Sequence, residues 1–306
     1  MTSASSMSGQ PRPPGRPSDP STRMVHKMKL LVLADLHLDE ISDRDLLDQL
    51  GDEIRDAATG VEALIIAGDL AEVATRKWPH ALRWLGSLVP AARTVVIPGN
   101  HDYYGENLST VDAELDRICS EAGCRFGQCQ RLEIGDVRIL MTTLWTDMRL
   151  FAAAGDAAVA EALWNARKMP DYGYGSIVIG SPERALKPQD TVRVHQTQLG
   201  WLTAELARPW VGKTVVVTHH APSGSVAGPI TPLSPCFASD LDALIDRYRP
   251  GLWVLGHTHR WAEVEMPGGT LLRNVSVGYE HEFRLGDIRE PVRRGLIDLD
   301  QIRAGM

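Results

Sequence analysis

The sequence predicts an α/β protein, and three observations carry that prediction. Short apolar runs of strand length recur along the chain, LLVLA, ALIIAG, VVIPG, TVVVT and LWVLG. Amphipathic stretches of helical period follow the first three of them. Each run also ends on a side chain that can bind a metal. Successive β-α steps imply parallel strands joined by helical crossovers.

Residues 1–27 are rich in Ser, Pro and Gly and hold almost nothing to bury, which predicts a disordered tail. Residues 28–306 read as one domain. It opens on KLLVLADLHL and a helix, ISDRDLLDQLGDEIRDAA, with Ser42 or Asp43 placed to cap it. EALIIAGD with a helix over 75–88, and RTVVIPGNHD with a helix over 107–122, repeat the step. Between 131 and 144 the runs shorten to RLEI and VRILMTTLW around Gly135-Asp136, a hairpin signal, so a sheet edge or second sheet begins there. Residues 145–190, Ala-rich and then broken by Pro and Gly, read as a small cap-like insertion of functional or mobile character. A helix (VRVHQTQLGWLTAEL), strands in TVVVTHHAP and LWVLGHTH with the helix FASDLDALIDRY between them, and closing strands in TLLRNVSV and GLIDLD complete the chain.

Composition narrows the function. With 43% hydrophobic and 23% charged residues in 306, neither a wholly disordered nor a fibrous chain is plausible. The net charge is −7, and Arg12, Arg16, Arg23, Lys27 and Lys29 sit in the first 29 residues with only Asp19 against them. The remainder carries 27 cationic and 38 acidic side chains, a net of −11. Such a body has no general attraction for nucleic acid or anionic membrane, so a phosphate-bearing substrate needs a local positive source. No apolar run approaches membrane-span length and no apolar signal centre stands near the start, which makes cytoplasmic the expected address. Cys119, Cys124, Cys129 and Cys236 lack the spacing of a zinc site and read as reduced thiols.

The five runs end at Asp35, Asp69, Asn100, His219 and His257. In open parallel sheets the ligand site lies beyond the carboxyl ends of the strands, so these residues should converge. Asp35 with His37, and His257 with His259, are i, i+2 pairs that extended geometry would aim into one cleft. Two carboxylates, one amide oxygen and four imidazoles suit manganese, iron or zinc, and seven side chains exceed what one ion needs. Two metals are the economical reading.

These residues resemble the calcineurin-like metallophosphoesterases, whose motifs are D-x-H, G-D, G-N-H-[DE], a lone H and G-H-x-H. The chain has Asp35-Leu36-His37, Gly68-Asp69, Gly99-Asn100-His101-Asp102, His219 and Gly256-His257-Thr258-His259 in that order, within roughly residues 29–285. The resemblance implies a four-layer α/β/β/α sandwich with a dimetal site at the strand ends. It implies that Asp35, His37, Asp69 and His259 hold one metal, that Asp69 bridges, and that Asn100, His219 and His257 complete the other. It gives His101 the role of proton donor to the leaving alcohol or of partner to the phosphoryl oxygens. His220 is left out of the ligand set.

Two divalent ions, less Asp35, Asp69 and a bridging hydroxide, leave about +1 before substrate arrives, which meets the need for local positive charge. His101 needs an orienting acid, and both Asp102 and Glu72 are candidates. His26, His80, His195 and His281 read as surface or structural residues, the glycines at 68, 99 and 256 as tight-turn residues, and Trp145, Trp164, Trp201, Trp210 and Trp253 as core or cap packing. Arg167, Lys168, Tyr172 and Tyr174 in the insertion, with Tyr103 and Tyr104 beside the site, are the places to look for specificity. The expected function is metal-dependent hydrolysis of a small phosphomonoester or phosphodiester. The alternative is a non-catalytic scaffold of the same fold that binds another protein. The presence of His101 and of all seven ligand candidates favours the enzyme.

Overall fold

The computed structural model describes residue 1 and residues 27–173, 176–283 and 287–304. The tail predicted over 1–27 lies outside the described residues except at its two ends, and His26 and Tyr174 lie outside them too.

The first three steps fold as read. Strands β1 (Lys29–Leu33), β2 (Ala63–Ala67) and β3 (Thr94–Ile97) are parallel, with α1 (Arg44–Ala57) and α2 (Ala74–Leu88) as crossovers. Asp43, one of the two predicted caps, accepts from the N–H groups of Asp45 and Leu46 and so satisfies donors that have no partner within the helix. The third helix starts late. A short strand β4 (Glu106–Asn107) precedes α3 (Val111–Ala122), because the Asn107 amide donates to Gly180 O and Glu183 Oε1 instead of facing a helical neighbour. Glu106 Oε1 caps α2 from outside, accepting from the Thr75 N–H at 2.9 Å and its hydroxyl at 2.6 Å. Strand β5 (Arg125–Phe126) then joins β3.

The predicted hairpin forms between β6 (Gln130–Ile134) and β7 (Val137–Thr142), and it opens a second sheet. The insertion contains α4 (Asp156–Ala166), β8 (Ile177–Ile179) and β9 (Arg184–Ala185), and β8 pairs with β4 to make a three-stranded sheet. After α5 (Pro188–Ala207) come β10 (Lys213–Thr218), α6 (Asp242–Tyr248) and β11 (Leu252–Leu255). Helix α6 is shorter than predicted, since residues 237–239 bond sideways to Ala221. Strands β12 (Glu263–Glu265) and β13 (Leu271–Asn274), helices α7 (Glu280–Phe283) and α8 (Arg289–Arg294), and β14 (Leu296–Asp298) close the chain. The sheet orders are β14-β1-β2-β3-β5 and β12-β13-β11-β10-β7-β6.

Residue alternation builds four layers. Leu30, Val32 and Ile65 of the first sheet meet Ile139, Val215 and Val254 of the second in the middle. Leu31, Leu33 and Ile66 face outward onto Leu50, Trp78, Leu115 and Val292 of the first helical layer. Leu140, Val216 and Trp253 face outward onto Leu202, Leu206 and Ile245 of the other. Strands covered on both faces must be apolar throughout, which is why the runs show no alternation in sequence. Trp145 and Trp253 are buried as expected, but Trp164 is 65% exposed with Arg167 over its ring. No helix among the described residues is long and apolar enough to cross a membrane.

Candidate metal centre

The strand ends converge across both sheets. The His257 N–H lies 3.0 Å from both carboxylate oxygens of Asp35, and the His101 N–H donates to Asp69 Oδ1 at 2.9 Å. Asp35, His37 and His259 bring ligand atoms within 4.8 Å of one another, and Asp69, His219 and His257 form a second such group. Asp69 Oδ2 stands between them, 3.3 Å from His219 Nε2 and 3.9 Å from His37 Nε2. Asn100 Oδ1 is 3.0 Å from His219 Nε2. All seven predicted side chains therefore meet.

The reason expected for the paired residues is overturned. Asp35 and His37 have φ of 58° and 40°, and His257 and His259 have 66° and 49°, so neither pair is extended. The chain leaves each strand in left-handed turns, which cost a non-glycine residue roughly 1 kcal/mol or more each. Bonds between loops hold them, including Asp35 N–H to Gly68 O and His37 N–H to Asp69 O, both 3.0 Å. Gly68, at φ 96°, does serve a turn. Gly99 has a different cause: a Cβ there would stand 2.2 Å from Asp69 Oδ1.

Hydrogen bonds on the far side fix the imidazoles. His219 Nδ1–H donates to Ala67 O at 3.0 Å, and His259 Nδ1–H to Glu282 Oε2 at 2.7 Å, so each leaves Nε2 for the centre. His37 Nδ1 and His257 Nε2 are buried without a hydrogen-bond partner, and the Nε2 atoms of His37 and His259 face each other at 3.3 Å. Burial opposes charge on His219, yet Asp69 outweighs it and pushes the ring up to about 9. Burial is likewise overcome at His259, where Asp35 and Glu282 push the ring up to about 10. Such a cluster calls for positive charge. Carboxylate, amide oxygen and imidazole without thiolate fit a pair of divalent ions of the manganese, iron or zinc type.

His101 projects beside the cluster, and of its two candidate acids Glu72 makes the contact, with Oε1 3.0 Å from Nδ1. Burial disfavours charge on the ring, but Asp69 and the Glu72 bond push it up to about 9. Asp102 has another task. Its buried carboxylate accepts from the N–H groups of Asp69, Leu70, Ala71 and Gly99 and from Trp78 Nε1, locking the β2 and β3 loops together.

Three neighbours escaped sequence reasoning. Glu282 bonds His259 and the Tyr279 N–H, Tyr279 stacks on His37 at 4.2 Å with its hydroxyl 3.4 Å from His101 Nε2, and Asp171 bonds the Asn100 amide. None lies in a motif. Conversely, the residues expected to set specificity are largely engaged elsewhere. Tyr172 bonds Thr191, Lys168 bonds Asn165, Arg167 covers Trp164, and Tyr103 is buried on Asp112. Among the described ones, Tyr104 alone packs against His101, at 4.4 Å between rings. His220 is buried against Trp145 and stays outside both groups, His195 bonds Leu144 O, and His80 and His281 are exposed.

Comparison with known proteins agrees. A family model for calcineurin-like phosphoesterases matches residues 28–261. Uncharacterized metallophosphoesterases from two Helicobacter pylori strains are 30% and 28% identical over 82 residues, a segment that is 27% of this chain and 22% of each relative. The fold is similar to that of a phosphopantetheinyl hydrolase from Mycobacterium tuberculosis, with a TM-score of 0.65, 20% identity, and coverage of 85% of this chain and 92% of that one. A dimetal phosphatase from Danio rerio superposes with a TM-score of 0.50 at 14% identity, over 81% and 86% of the two chains. Two groups of ligand-type side chains on this fold support a metal-dependent phosphoesterase. Since the family match covers well over half of its length, the chain belongs to the calcineurin-like phosphoesterases.

Proposed function

We propose that the protein hydrolyses a small phosphomonoester or phosphodiester at a two-ion centre. The observation that carries this reading is the position of Asp69, whose Oδ2 stands between the two ligand groups and so can serve both ions. Asp35, His37 and His259 would hold one ion with Asp69. Asn100, His219 and His257 would hold the other. When bound, such a pair would supply Lewis acidity for the phosphoryl oxygens and lower the pKa of a bound water.

The remaining work falls to the chain's own groups. His101 directs Nδ1–H at Glu72, which leaves Nε2 facing the same side as the Tyr279 hydroxyl. A proton held at Nε2 can pass to the departing alcohol oxygen. Glu72 keeps the ring in that orientation, and the stack of Tyr279 on His37 walls one side of the cluster. A net charge of −7 argues for a small phosphoester rather than nucleic acid or a membrane surface.

Hydrolysis of 4-nitrophenyl phosphate and bis(4-nitrophenyl) phosphate by the metal-free protein, titrated with Mn²⁺, tests the reading. A phosphopantetheinyl substrate belongs beside them, given the fold shared with an enzyme of that name. Metal-dependent turnover that falls with His101→Ala is the expected result. Two bound ions without hydrolysis of any substrate would sink the enzyme in favour of a scaffold.

A further inference from the structure

We propose that Asp171, carried by the 145–190 insertion, is a positioning residue for Asn100 and thereby sets the affinity of the second ion. The insertion is then a working part of the metal centre rather than a cover over it. This rests on reading the strand ends as a two-ion site.

Asp171 sits in the short turn Pro170–Tyr172 and is only 4% exposed. Its Oδ1 lies 2.8 Å from Asn100 Nδ2, across 71 residues of sequence. Asp171 Oδ1 accepts from the Asn100 Nδ2–H, so the NH₂ end of the amide faces Asp171. The carbonyl end then faces the opposite way, where Oδ1 lies 3.0 Å from His219 Nε2. Turned over, the amide would present N–H groups to the cluster, and these cannot bind a cation. The sequence explains why Asn100 is a possible ligand, and Asp171 explains why its oxygen is the end presented.

The turn that carries Asp171 is itself fastened. The Tyr172 hydroxyl is 2.8 Å from Thr191 Oγ1 on α5, and the Gly173 N–H closes on Pro170 O at 2.9 Å. Met148, Ala162, Ala166 and Cys236 form a small apolar cluster beneath it, with Tyr172 packed against them. No other side chain bonds the Asn100 amide nitrogen among the described residues. Partners of this kind, one bond removed from a metal, typically change its affinity by about 10- to 100-fold.

Calorimetric Mn²⁺ titration of the full chain, with electron paramagnetic resonance to detect coupling between the ions, tests this. Asp171→Leu should bind the first ion as the wild type does, bind the second at least about 10-fold more weakly, and lose the spin-coupled signal. Asp171→Asn keeps an acceptor oxygen and should restore the second ion to within a few-fold. An unchanged second affinity in Asp171→Leu overturns the proposal, and so does a loss in Asp171→Asn as large as that in Asp171→Leu. Asp171→Ala makes the same comparison should the leucine variant not fold. Combined with Asn100→Ala, the Asp171 substitution should add no further loss, and additive losses would show that it does not act through Asn100. Failure of the wild type to take up two ions would count against the two-ion reading instead.

Discussion

Glu72 Oε1 lies 3.0 Å from His101 Nδ1, and this bond holds the ring beside the candidate ligand groups with Nε2 towards the Tyr279 hydroxyl. His101→Ala should therefore lower kcat by about 10²- to 10⁴-fold while two ions still bind. The deficit should be larger for alkyl than for 4-nitrophenyl leaving groups, because nitrophenolate departs without a proton. Equal losses on both would remove the proton-donor role. Glu72→Gln, which keeps the shape but not the charge, should show the same leaving-group trend with a smaller amplitude.

Gly99 faces the other side of the same machinery. A methyl group there would stand 2.2 Å from Asp69 Oδ1 and 2.7 Å from His219 Cε1, so backbone or ligand must move. Gly99→Ala should weaken binding of both ions, since it displaces the carboxylate placed between them. A variant that binds two ions with wild-type affinity would show that the loops yield freely.

Asp102 is expected to matter more for stability than for chemistry. Five N–H donors from two loops and one helix converge on its buried carboxylate. Asp102→Asn sets amide hydrogens against some of those donors and should cost about 3 kcal/mol or more. Urea unfolding of the metal-free protein measures this without interference from bound ions. A loss below about 1 kcal/mol would mean that the loops hold without it.

The sequence exposed the site more fully than the wiring behind it. Asp35, Asp69, Asn100, His219 and His257 each end an apolar run, and parallel topology alone brings such ends together. Glu282 and Asp171 were invisible because they reach the cluster from the four-residue helix α7 and the short turn Pro170–Tyr172 and lie in no motif of the centre. Left-handed conformations at Asp35 and His257 were invisible for a related reason. Aspartate and histidine do not announce such geometry as glycine does, and tertiary bonds impose it. The helical period likewise ran past the true start of α3, because nothing local shows that Asn107 is occupied by Gly180 and Glu183.

Acid should loosen the insertion at a particular place. Asp190 opens α5, accepts from the Lys187 N–H at 2.9 Å, and is gripped by Arg184 at 2.6 and 2.7 Å and by Arg193. The hydrogen bonds from Arg184 hold its carboxyl below the usual aspartate value. A depressed folded pKa gives stability that is present above the unfolded value of about 3.9 and lost as pH falls through the folded one. Asp190→Asn should cost about 1–2 kcal/mol at neutral pH, after allowance for two exposed arginines, and the gap should close below about pH 4. A gap that persists in acid would assign the effect to shape rather than charge.

Loading the centre should expel protons. Without metal, His219 is pushed up to about 9 and His259 to about 10, burial opposing in each case and Asp69 and Asp35 prevailing. Both values lie above the ordinary imidazole value of about 6.5, so at neutral pH both rings carry a second proton, at Nε2. A coordinating imidazole must be neutral, and each cation therefore competes with a proton for the same Nε2. Apparent affinity should rise with pH up to about 9 to 10, by roughly tenfold per unit for each proton displaced. Mn²⁺ calorimetry at neutral pH, in buffers of different ionisation enthalpy, should count at least two protons released as the two sites fill, those of His219 and His259 and any from a water that the ions ionise. No release would mean the rings were neutral beforehand.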